Sequence, residues 1–172
     1  MAGLTPNKRL ALVAGSILLA DQLSKLAVLR FLPEGQEVSV LDGFFKLVHW
    51  VNTGAAWSSF SGNNHWLALV GVVALVVLFF SRHHFEAHTV PGQMALGLVF
   101  GGIVGNLIDR VVRQHVIDFL VFYVQQRGGG EAVFPAFNVA DSAICTGVGL
   151  IFLGTWRNEQ ARAAAAAPQR SP

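Results

Sequence analysis

Residues 97–119, GLVFGGIVGNLIDRVVRQHVIDF, begin as an apolar helix suited to lipid and end on Asn106, Asp109, Arg110, Arg113 and Asp118. At about 100° per residue, Gly97, Gly101 and Gly105 form one small-residue stripe, while Asn106 and Arg110 lie on a neighbouring face. Small residues let a second helix approach closely. The plain reading is a packing helix of GxxxG type whose Arg and Asp only mark the membrane surface. The segments on either side decide between that and a functional site.

Composition sets the solvent. Of the 172 residues, 53% are hydrophobic and 13% charged, and the mean hydropathy of +0.51 lies outside the range of soluble domains. This is a membrane protein. The formal charge of +2 comes from scattered Lys and Arg, with no basic run to neutralise a series of phosphates, so nucleic acid is not a partner. Cys145 stands alone in the last apolar segment, which excludes an intrachain disulfide and a thiolate cluster and predicts a packed, inert thiol.

Outward from the opening stretch, the hydropathy pattern gives four spans, at about 10–32, 65–82, 92–112 and 139–156. Each is long enough, or nearly so with its flanks, to cross roughly 30 Å of hydrocarbon at 1.5 Å per residue. The first could pass for a signal-peptide core, but Leu18 sits where a small residue should precede cleavage after Ala20. Asp21 and Lys25 follow at i, i+4 on one face and are expected to pair, either to make insertion tolerable or to build a site. In the outer loop 33–64, alternation at 38–40, the turn LDG and FFKLVHWV predict a β-hairpin. NTGAAWSSFS at 52–61 suits an interfacial segment, with Trp57 and Trp66 as belt anchors. Asn52 alone would be ordinary turn chemistry.

The second outer loop, 113–138, holds HVIDF, an aromatic run and GGG, and places Asp118 in irregular chain. Asn138 is placed to cap the fourth span, with Asp141 three residues later, a pairing that is also the purely structural account of both. The tail after Trp156 is expected to fray and to be disordered over 161–172, leaving 1–160 as one four-helix transmembrane domain. HFEAH at 84–88 has His84 and His88 at i, i+4 but lacks the HExxH order that sets a Glu beside a zinc-held water, so no metal is assigned.

Four spans put both termini on one side, and Lys8, Arg9, Arg82, Arg157, Arg162 and Arg170 bias that side to the cytoplasm. Asp21 and Lys25 then lie past the middle of span one, 106–110 end span three and Asp141 begins span four. Asn52 and Asp118 lie in the outer loops. Polar residues far apart in sequence thus converge on one layer near the outer surface.

That layer offers carboxylates, amides and an arginine. GxSxG is absent, and a Ser–Lys pair could use Lys25 only with Ser142, since Ser24 is its neighbour and faces away. Two carboxylates in a partly dry site can share a proton and activate water, and Asp118 and Asp141 suit this best. The start of span four favours Asp141 as the carboxylate, while the apolar neighbours of Asp118 favour it as the protonated partner.

DQLSK from Asp21, NTGAAW from Asn52, GGIVGNLIDR from Gly101, VIDF from Val116 and FNVADS from Phe137 occur in that order, and in these the chain resembles the lipoprotein signal peptidases, the type II signal peptidases of bacteria. The resemblance spans nearly the whole length. It implies an all-α integral membrane protein of four transmembrane helices with a small outer β-cradle and interfacial segment. It also implies an aspartic endopeptidase without cofactor that removes the signal peptide from diacylglyceryl-modified prolipoproteins, cutting just before the lipidated cysteine. Asp118 and Asp141 would be the catalytic dyad, Asn106 and Asn138 would orient it, and Asn52 and Arg110 would hold substrate carbonyls. Asp21, Lys25 and Asp109 would be site-building ion pairs. The enzyme would sit in the bacterial inner membrane with its site near the outer leaflet. Trp57 stands where Phe is usual and Ile103 where a smaller residue is commoner, changes that touch pocket shape and not the dyad.

Two other classes compete. An ion- or proton-coupled transporter would spread polar residues through the whole bilayer depth or show an internal repeat, and neither is present. A non-catalytic lipoprotein binder would leave two carboxylates beside three placed asparagines without a purpose.

Overall fold

The computed structural model describes residues 3–54, 62–85 and 87–166, so Trp57 and most of the expected interfacial segment lie outside the described residues. Four helices, α1 (Pro6–Phe31), α2 (Asn64–Ser81), α3 (Val90–Val112) and α4 (Val139–Ala166), are each long and apolar enough to cross a membrane. Four strands, β1 (Glu37–Leu41), β2 (Phe45–Asn52), β3 (Val116–Gln125) and β4 (Glu131–Val133), form one sheet in the order β1-β2-β3-β4.

The helix ends follow local chemistry. Pro6 sits in the first turn of α1, where its missing N–H costs nothing, and the helix stops at Phe31 because Leu32 precedes Pro33 and takes extended backbone. Thr89 caps α3, its hydroxyl accepting the Gly92 N–H at 3.1 Å, with Pro91 again in the first turn. α4 runs on to Ala166, past the span expected to end at Trp156 and within the stretch before Pro168 where a fraying helix is expected; residues 167–172 lie outside the described residues. Alanine has the highest helix propensity of any residue, and the run there continues the helix although residues 161–165 are exposed.

Burial is inverted relative to a soluble bundle. The buried residues of α1 are Asp21 and Lys25, and that of α2 is Asn64, while Leu12, Leu19, Leu23, Val73, Val77 and Phe80 are exposed. Only a lipid solvent makes that arrangement favourable. α3 is the central helix, packed against α1, α2 and α4. Its glycines set the spacing: a Cβ on Gly101 would stand 2.6 Å from the Ala14 carbonyl oxygen of α1, and one on Gly102 2.5 Å from that of Ala140 in α4. The backbones meet because no side chain intervenes.

The outer loops hold more regular structure than expected. β1 and β2 are the predicted hairpin, turning at Asp42 and Gly43. Residues 113–138 are not irregular, however: β3 pairs antiparallel with β2 along its length and carries Asp118 opposite Trp50. β3 is buried on both faces from Val116 to Phe119, so the period-2 signal of a half-buried strand is missing there. Lys46 of β2 staples the sheet, reaching Glu37 of β1 at 2.7 Å and Glu131 of β4 at 2.8 Å across the Tyr123 ring of β3. Its pKa is raised by hydrogen bonds to Glu131 and Glu37.

Candidate active site

Asp118 projects from β3 and Asp141 from the first turn of α4, and Asn138 joins them. Its side-chain Nδ2 donates to Asp118 Oδ1 at 2.9 Å, while its backbone N–H donates to Asp141 Oδ2 at 3.2 Å. The Asp141 N–H returns a bond to Asn138 Oδ1 at 2.9 Å. This reciprocal cap is what any helix start with Asn and Asp three apart would form. Here the same asparagine also fixes a second carboxylate, from another element.

Each remaining carboxylate oxygen has its own amide. Asn52 Nδ2 donates to Asp118 Oδ2 at 2.8 Å, and Asn106 Nδ2 donates to Asp141 Oδ1 at 2.7 Å. Asn52 ends β2 and pairs with Val116, so the ladder sets it beside Asp118. Its Oδ1 accepts the Gly54 N–H at 2.9 Å in an Asx turn, which fixes which side of the amide faces the carboxylate.

Behind Asn106 stands a buried ionic cluster. Lys25 Nζ donates to Asn106 Oδ1 at 3.0 Å and pairs with Asp21 at 2.8 Å and Asp109 at 2.7 Å, and all three charged side chains are wholly buried. Arg113 meets Asp109 at 2.6 Å, and Gln22 reaches Asp21, Asp109 and the Gly105 carbonyl. Asp21 Oδ1 accepts the Ala140 N–H at 2.9 Å, so α1 helps to cap α4. The expected Asp21–Lys25 pair is therefore one edge of a larger network. Gln22 was not singled out from the sequence, although it lies within DQLSK.

Arg110 lies apart from the dyad's hydrogen bonds but lines the same cleft. Its Nη2 donates to the Gly54 carbonyl at 2.7 Å and its Nη1 to Asn64 Oδ1 at 3.2 Å, and Asn64 Nδ2 donates back to the Arg110 carbonyl at 2.9 Å. The guanidinium thus holds a backbone carbonyl, one belonging to this chain. Asn64 carries no signal in the sequence beside the apolar run of α2; it is buried and bonded to Arg110 of α3.

The cleft measures about 1030 Å³ and runs between β2, the segment 133–137, α3 and α4. Asp118 and Asp141 line it, with Trp50, Val116, Phe134 and Ile144 among its apolar walls. Cys145 lines it too and is exposed, which corrects the expected packed thiol; residue 145 is one turn past Asp141 on the same face of α4. Ser142 donates its hydroxyl to the Asn138 carbonyl at 2.9 Å, and Lys25 is engaged by carboxylates, so the Ser–Lys alternative has no geometry. Among the described residues no group of three or more His, Cys, Asp or Glu is placed to hold a metal ion.

Burial and the neighbouring Asp141 raise the pKa of Asp118 to about 6, against the opposing hydrogen bonds from Asn52 and Asn138. A proton is therefore held on this side of the pair at a pH where an ordinary aspartate has lost it. Two carboxylates, held by three amides at the end of an apolar cleft, can bind a water and pass protons to and from a carbonyl group.

Comparison with known sequences gives one family from two directions, and a solved structure shares the fold. Residues 13–157 match the family model described as signal peptidase (SPase) II. A lipoprotein signal peptidase of Bacillus subtilis is 34% identical over 143 residues, 83% of this chain and 89% of that one. One of Dehalococcoides mccartyi is 43% identical over 141 residues, 79% of this chain and 82% of that one. A solved bacterial membrane enzyme superposes with a TM-score of 0.75 at 27% identity, covering 94% of this chain and 93% of that one.

Proposed function

The chain belongs to the signal peptidase II family, aspartic peptidases that process prolipoprotein signal peptides, and we propose that Asp118 and Asp141 are its catalytic pair. The observation that carries this is Asn138, one residue that hydrogen-bonds both carboxylates and so fixes them against each other. The transporter reading has nothing in its favour, since the family is enzymatic.

In this mechanism the pair binds one water. Asp141, in the first turn of α4, takes a proton from the water as its oxygen attacks the scissile carbonyl carbon. Asp118 gives its proton to the carbonyl oxygen, forming a neutral gem-diol. Collapse of that intermediate returns a proton to Asp118 from a hydroxyl and passes one from Asp141 to the departing amine, which breaks the C–N bond and restores the pair. Asn52, Asn106 and Asn138 keep the carboxylates aimed. Arg110 fixes the 52–54 turn through the Gly54 carbonyl, or takes a substrate carbonyl when that turn moves aside. The cleft's apolar walls suit a signal helix followed by a diacylglyceryl-cysteine, with the cut just before that residue. The dyad lies on the outer side of the membrane and both termini on the cytoplasmic side, as the distribution of Lys and Arg favours.

The test uses the full chain in detergent with a diacylglyceryl-modified prolipoprotein. Signal peptide should be released at the same rate with and without chelator. Asp118→Asn and Asp141→Asn should each lower turnover by several orders of magnitude while remaining folded, and the double variant should be little worse, because the two act as a unit. Near-normal turnover by either single variant rejects the dyad.

A further inference from the structure

At the end of the bundle away from the aspartates, α1 and α2 both pack on α3 but leave a gap between them. The gap is an apolar groove of about 520 Å³, walled by Leu10 and Leu18 of α1, Phe79 of α2 and Phe100 of α3. Its mouth is polar, formed by Asn7 and Arg82. Gly15 lines it with open space where a Cβ would stand, whereas Gly101, also in the lining, closes the floor by its contact with Ala14. We propose that this groove seats one anionic phospholipid, an acyl chain between α1 and α2 and the phosphate on Arg82.

Length, charge and lining all favour that occupant. From residue 7 to residue 18 an α-helix rises about 16 Å, the thickness of one leaflet of a roughly 30 Å hydrocarbon core. The groove therefore starts at a headgroup level and ends near the midplane, as a single acyl chain does. Arg82 lies on the Phe79 ring at 4.3 Å, and among the described residues no carboxylate pairs with it. The first turn of α1 and the 3-10 turn Arg82–Phe85 contain no acidic residue, the next one in sequence, Glu86, lying outside the described residues, and Lys8 is exposed nearby in sequence. A planar guanidinium at the headgroup level matches a phosphate bidentately. A zwitterionic lipid would bring its own cation to the same place.

Full-length protein is reconstituted in nanodiscs of equimolar phosphatidylglycerol and phosphatidylcholine, released, and the lipid that stays bound is weighed by native mass spectrometry. One retained phosphatidylglycerol is expected, favoured over phosphatidylcholine by about fivefold, the factor one cation supplies at a membrane surface. Arg82→Gln should abolish the preference, Arg82→Lys should keep most of it, and Gly15→Leu, which fills the groove, should remove retention of either lipid. Cleavage activity, read on the same samples, should persist in all three and shows that they are folded. Equal retention of the two lipids by the native chain, or an unchanged preference in Arg82→Gln, overturns the proposal. So does a dimer that Gly15→Leu dissolves, which would assign the groove to a second copy of the chain.

Discussion

At the residue scale, Asp118 makes a signed prediction. Its pKa is raised to about 6 in the folded chain, while in the unfolded chain it is about 3.9. Below about pH 4 both states hold the proton and the group contributes nothing. Between 4 and 6 the unfolded state has lost it and the folded state has not, so stability falls as pH rises through that window, and above it the cost of a buried anion is complete. Asp118→Asn removes this dependence. Its stability relative to the native chain should therefore improve by about 1 to 3 kcal/mol between pH 4 and pH 7, whatever constant penalty the lost hydrogen bond adds. Denaturant unfolding in micelles at several pH values measures it, and a flat difference would show that Asp118 ionises normally. Arg110 gives a second case. Lys at that position keeps the charge but cannot bridge the Gly54 carbonyl and Asn64 together, so KM should rise more than kcat falls. An unchanged KM would remove Arg110 from substrate binding.

At the scale of elements, the contact between α1 and α3 rests on glycine at Gly105. A Cβ there would lie 2.6 Å from Asp21 Oδ2, and Asp21 cannot retreat because Lys25 and the Ala140 N–H hold it. Gly105→Ala should cost about 1 to 3 kcal/mol by overpacking and lower activity as well. Gly149→Ala, whose Cβ meets nothing within 4 Å, should not destabilise. Equal melting temperatures for the two would mean that the helices slide apart freely. The glycine stripe was legible in the sequence because small residues at helical spacing have one use in lipid, and so was the hairpin, with alternation on both sides of a turn. β3 was not. VIDFLVFYV carries nearly continuous apolar character, because both faces of β3 are covered from Val116 to Phe119 and the alternation of a half-buried strand is absent there. Asp118 was therefore picked out by its chemistry and given the wrong local setting. Arg110 and Asn64 form a pair that no spacing rule joins, since they lie on different helices and meet only once α2 has packed on α3.

For the whole molecule, the question is why an apolar bundle keeps Asp21, Lys25 and Asp109 wholly buried. A buried charge pair seldom adds stability over an apolar replacement, but removing one partner leaves an uncompensated charge and costs about 3 to 5 kcal/mol. Lys25→Met should accordingly leave Asp21 and Asp109 facing each other in a dry site and fail to accumulate as folded protein. Combining it with Asp21→Asn and Asp109→Asn removes the charges, keeps an acceptor for the Ala140 N–H, and frees Arg113, which is part exposed, to turn to water. The triple variant should recover folded yield. It should not recover activity, because Lys25 also holds the Asn106 carbonyl oxygen at 3.0 Å and thereby points the Asn106 amide at Asp141. Without that contact the amide can flip and turn an acceptor toward the carboxylate. Folded yield in micelles and signal-peptide release separate the two roles. Full activity in the triple variant would reduce the cluster to a device for burying its own charges, whereas a folded but slow enzyme would make Lys25 a positioning residue that joins α1 to the chemistry on α4.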